Sequence, residues 1–332
     1  MSMKSPSSAI LLAVLATLLV ACSPPPPMAG GDDLCRYDPQ PPRPMPRTQI
    51  DDLGEIEKTV AELSRRHGGD KVLVVFDIDN TLLTAERDFG SDAWFKWQDA
   101  IRKRPGCEGD RVAEDFDGLL DVQHLAYSIG QMRPTQAGTA VLIGFLADAE
   151  HGVMALTARG PEIRSPTVRE LGRNGVTFPT GPPCRPGSTE KPSLCAERGF
   201  ISAETILAVA QEALSARERE ILGPDPRLIS YADGVMMVSG QNKGLMLRLL
   251  LASSQVPYAA IVFVDDGAEN VVAVERAFAG ESTPTAEGFW YTAFEEANAR
   301  FWNDQARQDG TVQAWATISA ALCQTVGTYC RP

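Results

Sequence analysis

Three short segments of the chain are apolar through their interior, and longer amphipathic segments lie between and after them. The apolar runs cover residues 71–77, 152–157 and 260–265. Strands that are apolar on both faces are typical of a parallel sheet covered by helices on both sides. Amphipathic patterning predicts helices over residues 203–222, 244–254 and 268–279. This alternation predicts an α/β fold with a Rossmann-like parallel sheet flanked by helices, and a hairpin at 228–238 beside it.

Polar residues follow each of the three predicted strands, at the end where open α/β sheets bind ligands. The first strand continues into an Asp-x-Asp-x-Thr motif at residues 77–81. Residues two apart in an extended segment project to the same side, so Asp77 and Asp79 are expected to share one pocket. The other strand ends and the start of one helix contribute the candidates Thr157, Arg159, Lys243, Asp265 and Asp266.

Each candidate also has an ordinary structural interpretation. The Asp-x-Asp-x-Thr motif is compatible with a surface loop or the start of a calcium loop. Against calcium, Leu82 stands where such a loop needs glycine, and Asp88 stands where it needs glutamate. Arg159 is either a substrate contact or a solvated side chain. The order of the motifs along the chain favours the functional interpretation.

That order resembles the four motifs of the haloacid dehalogenase superfamily. They are Asp-x-Asp-x-Thr after a buried strand, a threonine after the next, a lysine opening a later helix, and an aspartate pair after a further strand. The segments VVFDIDNTLL, SDAWFKWQ, MALTARG, SGQNKG and FVDDGAENV are more narrowly similar to a family of such proteins found in exported form in bacteria. The resemblance runs from about residue 72 to residue 301 and implies the fold of that superfamily with a small helical cap.

The resemblance also implies a role for each motif residue. Asp77 would attack phosphorus and form an aspartyl-phosphate, which divides hydrolysis into two easier displacements. Asp79, protonated at first, would donate to the leaving oxygen and then accept a proton from water. Thr157 and Arg159 would contact the substrate, and Lys243 would neutralise Asp77 and the phosphate together. Because dehalogenases of the superfamily lack an acid at the position of Asp79, phosphatase or phosphotransferase chemistry is favoured.

Magnesium is the cofactor that the resemblance implies. Mg²⁺ prefers oxygen ligands in octahedral geometry and keeps several waters. Asp77, the backbone carbonyl of Asp79 and Asp265 would supply three ligands, and Asp266 would act through a bound water. The predicted function is hydrolysis of small phosphorylated metabolites outside the cytoplasm. The alternatives are a phosphotransferase, and a non-catalytic binding lipoprotein that retains the fold.

The chain between the first two predicted strands is longer than one helix requires. The surplus predicts the helical cap at about residues 91–132. Trp94, Phe95 and Trp97 lie there at helical spacing, and they either stack on a substrate or pack the cap against the core. A second surplus, at about residues 177–199, predicts a loop held by its two cysteines.

The N-terminus predicts export and a lipid anchor. Residues 1–21 combine a lysine with a 13-residue apolar stretch, which is too short for a permanent membrane span. The sequence Leu-Val-Ala-Cys at 19–22 resembles a bacterial lipobox, which implies that Cys22 is lipid-modified and anchors the protein to a membrane. The alternative is an ordinary cleaved signal peptide. A proline-rich tether (22–49), a catalytic domain (50–310) and a C-terminal helix and tail (311–332) follow.

The net charge limits the possible binding partners, and the cysteine content indicates the compartment. The net charge of −12 argues against nucleic acid as a partner, so an anionic substrate needs a local cation. Without Cys22, six cysteines remain, an even number that suits disulfides in the periplasm or extracellular space. Proximity suggests pairing Cys184 with Cys195 and Cys323 with Cys330, although six cysteines allow 15 connectivities.

Overall fold

The computed structural model describes residues 35–37, 39, 45–184, 192–194, 199–280 and 284–329. The predicted signal peptide (1–21), Cys22 and most of the predicted tether lie outside these residues. From Cys35 onward, the described residues belong to one compact unit. None of their helices is long and apolar enough to cross a lipid bilayer.

Strands and helices alternate along the described chain, as the hydrophobic pattern predicts. The strands are β1 (Thr48–Ile50), β2 (Val72–Phe76), β3 (Leu83–Ala85), β4 (Met132–Pro134), β5 (Gly152–Thr157), β6 (Phe200–Ile201), β7 (Ile229–Ala232), β8 (Val235–Met237), β9 (Ala260–Asp265) and β10 (Thr285–Tyr291). The α-helices are α1 (Glu57–His67), α2 (Asp92–Ile101), α3 (Phe116–Ile129), α4 (Thr139–Asp148), α5 (Arg164–Arg173), α6 (Ala203–Ala213), α7 (Ala216–Leu222), α8 (Lys243–Ser253), α9 (Ala268–Ala277), α10 (Glu295–Trp302) and α11 (Gln305–Val326).

Within these residues, β2 lies inside an eight-stranded sheet. The strand order is β1-β10-β9-β2-β5-β8-β7-β6, with parallel pairs from β1 to β8 and antiparallel pairs beyond. The chain leaves β2 toward β5 and one edge of the sheet, and later returns to the other side of β2 at β9. The carboxyl end of β2 is therefore the topological switch point, where open α/β sheets bind ligands.

Helices cover both faces of this sheet. Val72, Val74 and Phe76 of β2 pack in a core with α1, α4 and α5, whereas Leu73 and Val75 pack in a second core with α6, α8 and α9. All five side chains are fully buried, and burying one such side chain contributes about 1.5–3 kcal/mol. The run is apolar at every position because both of its faces are interior. This confirms the predicted α/β fold with a Rossmann-like parallel sheet.

The predicted cap segment, 91–132, contains α2 and α3. At its base, β3 and β4 form a two-stranded antiparallel ribbon. Trp94 and Trp97 of α2 are fully buried in a cluster with Phe301 and Trp315 of the C-terminal helices. These two tryptophans therefore attach the cap to the rest of the fold and do not face a substrate, whereas Phe95 lines a cavity.

Cysteines of the described chain are disulfide-bonded. Cys35 is joined to Cys107 of the cap, with the Cα atoms 5.6 Å apart. Cys184 and Cys323 are also disulfide-bonded. Their predicted partners, Cys195 and Cys330, lie outside the described residues.

Some elements differ in detail from the sequence prediction. The helix predicted over 203–222 is divided into α6 and α7, because Ser215 and Glu218 form a capping box that starts a new helix. The second strand of the predicted hairpin, β8, also pairs with β5 and so belongs to the main sheet. The helix α11 begins at Gln305, so the predicted domain boundary at 310/311 falls inside it.

Candidate active site

Asp77 is positioned by the strand next to its own. Its backbone N–H donates to the Val264 carbonyl at 2.9 Å, which continues the pairing of β2 with β9 and brings Asp77 beside Asp265. Lys243, the first residue of α8, lies between the two carboxylates. Its Nζ is 2.5 Å from Asp77 Oδ1 and 2.6 Å from Asp265 Oδ2. The structure thus brings together three predicted site residues, all of them buried.

The loop after β2 is held by its own polar side chains. Asn80 has a φ of 56°, in the left-handed region that asparagine tolerates better than most residues. Its side chain accepts from Thr84 Oγ1 at 3.0 Å and donates to Asp92 Oδ2 at 3.3 Å. Thr81 Oγ1 accepts from the Asp266 N–H at 3.0 Å. The motif is therefore fixed both to cap helix α2 and to the end of β9.

Asp79 forms an ion pair with Arg159. The Arg159 Nε donates to Asp79 Oδ2 at 2.8 Å and Nη2 donates to Oδ1 at 2.7 Å, a bidentate geometry. The Tyr127 hydroxyl donates to the same Oδ1 at 3.1 Å, and the guanidinium carbon lies 3.8 Å from the Tyr127 ring centre. Burial alone raises the pKa of Asp79, but the charge and hydrogen bonds of Arg159 outweigh it and lower that pKa.

The ion pair differs from one expectation based on the sequence and excludes one of two alternatives that the sequence left open. Asp79 is expected to start protonated, whereas its contact with Arg159 favours the ionised form. Arg159 is not a solvated side chain, since it is only 6% exposed. It also donates from Nη1 to Thr167 Oγ1 at 2.9 Å, and its backbone N–H donates to Thr157 Oγ1 at 3.2 Å. Arg159 therefore fixes the position of Asp79, and Thr157 is held directly beside it.

Three carboxylates gather at the ends of β2 and β9. Oxygen atoms of Asp77, Asp265 and Asp266 all lie within 4.8 Å of one another. Burial raises the pKa of Asp77, and the neighbouring Asp265 adds to this against the opposing charge of Lys243. Removal from solvent also raises the pKa of Asp266, against the opposing charge of Lys96. A cluster of three carboxylates could hold a hard cation, which prefers oxygen ligands.

The two aspartates at the end of β9 differ in how their oxygens are used. Asp265 Oδ1 accepts from the Gly267 N–H at 2.8 Å and from Asn270 Nδ2 at 2.9 Å, and its Oδ2 accepts from Lys243. No residue in the described ranges donates to the Asp266 carboxylate. Asp265 is therefore firmly oriented, and Asp266 has free oxygens toward the cavity.

A cavity of about 580 Å³ opens above these groups, a size typical of small-molecule sites. The predicted site residues that line it are Asp77, Asp79, Thr157, Arg159, Lys243 and Asp266. One face of α3 forms a wall, because Phe116, Leu120, His124 and Tyr127 follow one another at intervals of three or four residues. The cap thus closes over the carboxyl end of the sheet.

Two polar residues of the cap belong to this site although the sequence does not single them out. Tyr127 contacts Asp79, as described above. Lys96 lines the cavity, and its Nζ is 2.8 Å from Asp92 Oδ2. Both lie on helices far along the chain from the motif residues they approach. The available signal was helical spacing, since Tyr127 repeats on the same face as Leu120 and His124.

Residues 49–321 match the model of a family described as "Protein of unknown function (DUF2608)". Because the match covers most of the chain, the chain belongs to this family. The matched region contains all the predicted site residues from Asp77 to Asp266. A search of curated proteins found no match.

Proposed function

We propose that this protein is a Mg²⁺-dependent phosphomonoester hydrolase of the haloacid dehalogenase type. The observation that carries the proposal is the contact of Asp77 with Lys243 at the switch point of the sheet, on the floor of a ligand-sized cavity. Lys243 donates to Asp77 Oδ1, whereas no described residue donates to Asp77 Oδ2. This second oxygen is available as a nucleophile.

The reaction has two steps in this scheme. Asp77 Oδ2 attacks phosphorus, the ester P–O bond breaks, and the leaving oxygen takes a proton from Asp79. Water then attacks the phosphorus of the aspartyl-phosphate and gives a proton to Asp79. The bond between phosphorus and Asp77 breaks, and inorganic phosphate leaves. Lys243 offsets the charge of the phosphoryl group, and Thr157 hydrogen-bonds one of its oxygens.

Asp79 needs a proton for the first step, and its ion pair with Arg159 opposes this in the free protein. A phosphoryl group that enters beside the pair competes for the guanidinium. Once the pair weakens, burial raises the pKa of Asp79. Arg159 is thus a positioning residue that keeps Asp79 in place and controls its proton.

Asp77, Asp265, Asp266 and the Asp79 carbonyl would hold the cation, with Asp266 bound directly or through water. When bound, Mg²⁺ supplies positive charge that offsets the phosphate and the carboxylates together. The all-oxygen donor set supports this choice.

We also propose that the protein is exported and anchored by lipid at Cys22, facing the periplasm or the extracellular space. Disulfides persist in oxidising compartments, and the pair Cys35–Cys107 supports this location. The substrates are then small phosphorylated compounds outside the cytoplasm.

Release of phosphate from p-nitrophenyl phosphate by the purified full-length protein tests the function. Turnover is expected with Mg²⁺, and loss to background is expected in excess EDTA and in Asp77→Asn. The matched control is Asp148→Asn, which changes an exposed aspartate outside the cavity. Near-normal turnover by Asp77→Asn would show that Asp77 is not the nucleophile.

The same assay separates the two alternatives. Transfer of the phosphoryl group to an added alcohol, in place of release as phosphate, would indicate a phosphotransferase. Absence of any turnover with Mg²⁺ would favour a non-catalytic binding lipoprotein.

A further inference from the structure

The outer part of the cavity is built from apolar side chains. It is lined by Phe95, Phe116 and Leu120 of the cap and by Leu228 of the core. Phe116 is 37% exposed and Leu228 is 42% exposed. Large apolar side chains that remain exposed around a cavity indicate a surface for a ligand.

Helix α3 sets the distance between this apolar region and the reacting groups. Tyr127, near one end of its cavity face, donates to Asp79. With a rise of about 1.5 Å per residue, Leu120 lies roughly 10 Å and Phe116 roughly 16 Å along the helix from Tyr127. A ligand that reaches from Asp79, which Tyr127 contacts, to Phe116 must therefore be elongated.

Two aromatic rings give the region its shape. The ring centres of Phe95 and Phe116 are 6.2 Å apart and the rings are inclined at 68°, so a ring face stands next to a ring edge. The Arg102 guanidinium lies 5.4 Å from the Phe116 centre. Aromatic rings favour edge-to-face and offset contacts with one another, and such contacts contribute beyond the area they bury. The buried Trp94 anchors the helix that carries Phe95.

We propose that the site accepts phosphomonoesters that carry an aromatic ring remote from the phosphate, with Phe95 and Phe116 as the specificity-determining residues. This rests on the proposed function for the phosphate end. The ring lies against the two phenylalanines, of which Phe116 is roughly 16 Å along α3 from Tyr127, the residue that contacts Asp79. Asp77 takes the phosphoryl group.

Three alkyl phosphates test the substrate class because their leaving groups are all primary alcohols. They are butyl phosphate, octyl phosphate and 4-phenylbutyl phosphate, and phosphate release from each is measured as kcat/KM. We expect 4-phenylbutyl phosphate to exceed butyl phosphate about tenfold, and to exceed octyl phosphate as well, because ring contacts contribute beyond buried area. Equal values for the three esters, or an octyl ester as good as the aromatic one, would overturn the proposal.

Variants then locate the contact. Phe95→Ala and Phe116→Ala are each expected to reduce the ratio of 4-phenylbutyl to butyl phosphate by about two- to tenfold. The control is Phe145→Ala, which removes a phenylalanine that is 59% exposed and outside the cavity; its ratio should equal that of the unmodified protein. If the ratio of 4-phenylbutyl to butyl phosphate is unchanged after both rings are removed, the assignment is wrong.

Binding of the corresponding phosphonates, which cannot be hydrolysed, separates this proposal from the function. Calorimetry should show tighter binding of 4-phenylbutylphosphonate than of butylphosphonate. If that difference appears without turnover of any ester, the aromatic site stands and the proposed hydrolase does not. If turnover occurs without the difference, the aromatic site is wrong and the hydrolase stands.

Discussion

Asp77 and Asp79 are two residues apart, yet their oxygens are engaged differently. Asp77 gives one oxygen to an ammonium group and keeps the other uncovered by described residues. Asp79 has both oxygens covered, Oδ2 by Arg159 and Oδ1 by Arg159 and Tyr127. A nucleophile needs an uncovered oxygen, whereas a proton carrier needs a controlled pKa. In the proposed mechanism, these contacts favour attack by Asp77 and proton transfer by Asp79.

Asp79→Asn separates these roles. The variant keeps the backbone carbonyl at position 79 but removes the transferable proton, so Mg²⁺ binding should survive while turnover falls by ~10²–10⁴. The loss should be smaller for p-nitrophenyl phosphate than for an alkyl phosphate, because a phenolate leaves with less protonation. Steady-state kinetics with both esters checks this. An equal loss for both would contradict an acid role for position 79.

The positions of the motif residues were predictable because these residues follow the ends of strands. The side chains that contact them were not predictable. Asp77 and Asp265 meet because β2 and β9 are neighbours in register, which buried strands and a familiar motif order suggest in advance. The contact of Tyr127 with Asp79 depends on how the cap docks, and no local pattern encodes that. Likewise, only the three-dimensional structure shows that Arg159 is buried against Asp79 and is not solvated.

At the scale of elements, a buried carboxylate helps to join the base of the cap to the core. Glu170 of α5 is 3% exposed and accepts from the backbone N–H of Met132 in β4 at 2.8 Å. Arg169 and Arg173 also donate to it, at 2.9 and 3.0 Å. Burial alone raises the pKa of Glu170, but the hydrogen bonds from Met132, Arg169 and Arg173 outweigh it and lower that pKa.

Glu170→Gln should therefore destabilise the protein in a pH-dependent way. A lowered folded-state pKa means that the ionised group adds stability above its ordinary value of 4.5, and that this stability is lost as pH falls through and below that value. The variant should lose about 1–3 kcal/mol near pH 7 and progressively less below pH ~4.5. Urea unfolding at several pH values measures this, with the exposed Glu212→Gln as control. A pH-independent difference would show that the carboxylate charge is not responsible.

Strands whose residues are all buried could be predicted from the sequence. Strands that mix buried and exposed residues could not. The interior runs of β2 and β9 are apolar throughout, so their pattern identifies them. The run in β10, Thr-Ala-Glu-Gly-Phe-Trp-Tyr, is exposed or half-buried in its first three residues and buried in the last four, which matches neither a continuous nor an alternating pattern. β1 is only three residues long, too short for periodicity to identify.

At the scale of the whole molecule, both ends of the described chain meet at the cap. The Trp97 Nε1 of α2 donates to the Cys35 carbonyl at 2.8 Å. The rings of Tyr37 and Trp302 are 4.7 Å apart between their centres. Cys35 and Tyr37 of the predicted tether (22–49) therefore pack with the cap and the C-terminal helices, so this part of the chain is not a free spacer. The sequence did not predict this because the contacts join residues more than 60 positions apart.

Anchoring to a membrane is expected to depend on Cys22. Acyl chains contribute about 0.8 kcal/mol per buried CH₂ group, whereas a proline-rich tether contributes no comparable apolar surface. Cys22→Ser should move the protein from the membrane fraction to the soluble fraction of the envelope. Mass spectrometry of the mature N-terminus provides the direct measurement. An unmodified N-terminus in the natural protein would exclude lipidation.

The disulfide Cys35–Cys107 should stabilise the molecule without taking part in the reaction. It links residues separated by 72 positions, and closing a loop of that size contributes roughly 4 kcal/mol when the gain comes from restricting the unfolded chain. Neither cysteine lines the cavity. Replacing both with serine should therefore lower the melting temperature while kcat for p-nitrophenyl phosphate, measured well below that temperature, stays close to that of the unmodified protein. Calorimetry of the double variant and of each single variant tests this. An unchanged melting temperature would show that the segment at Cys35 is held by its other contacts, and a large fall in kcat would show that the disulfide positions the cap for the reaction.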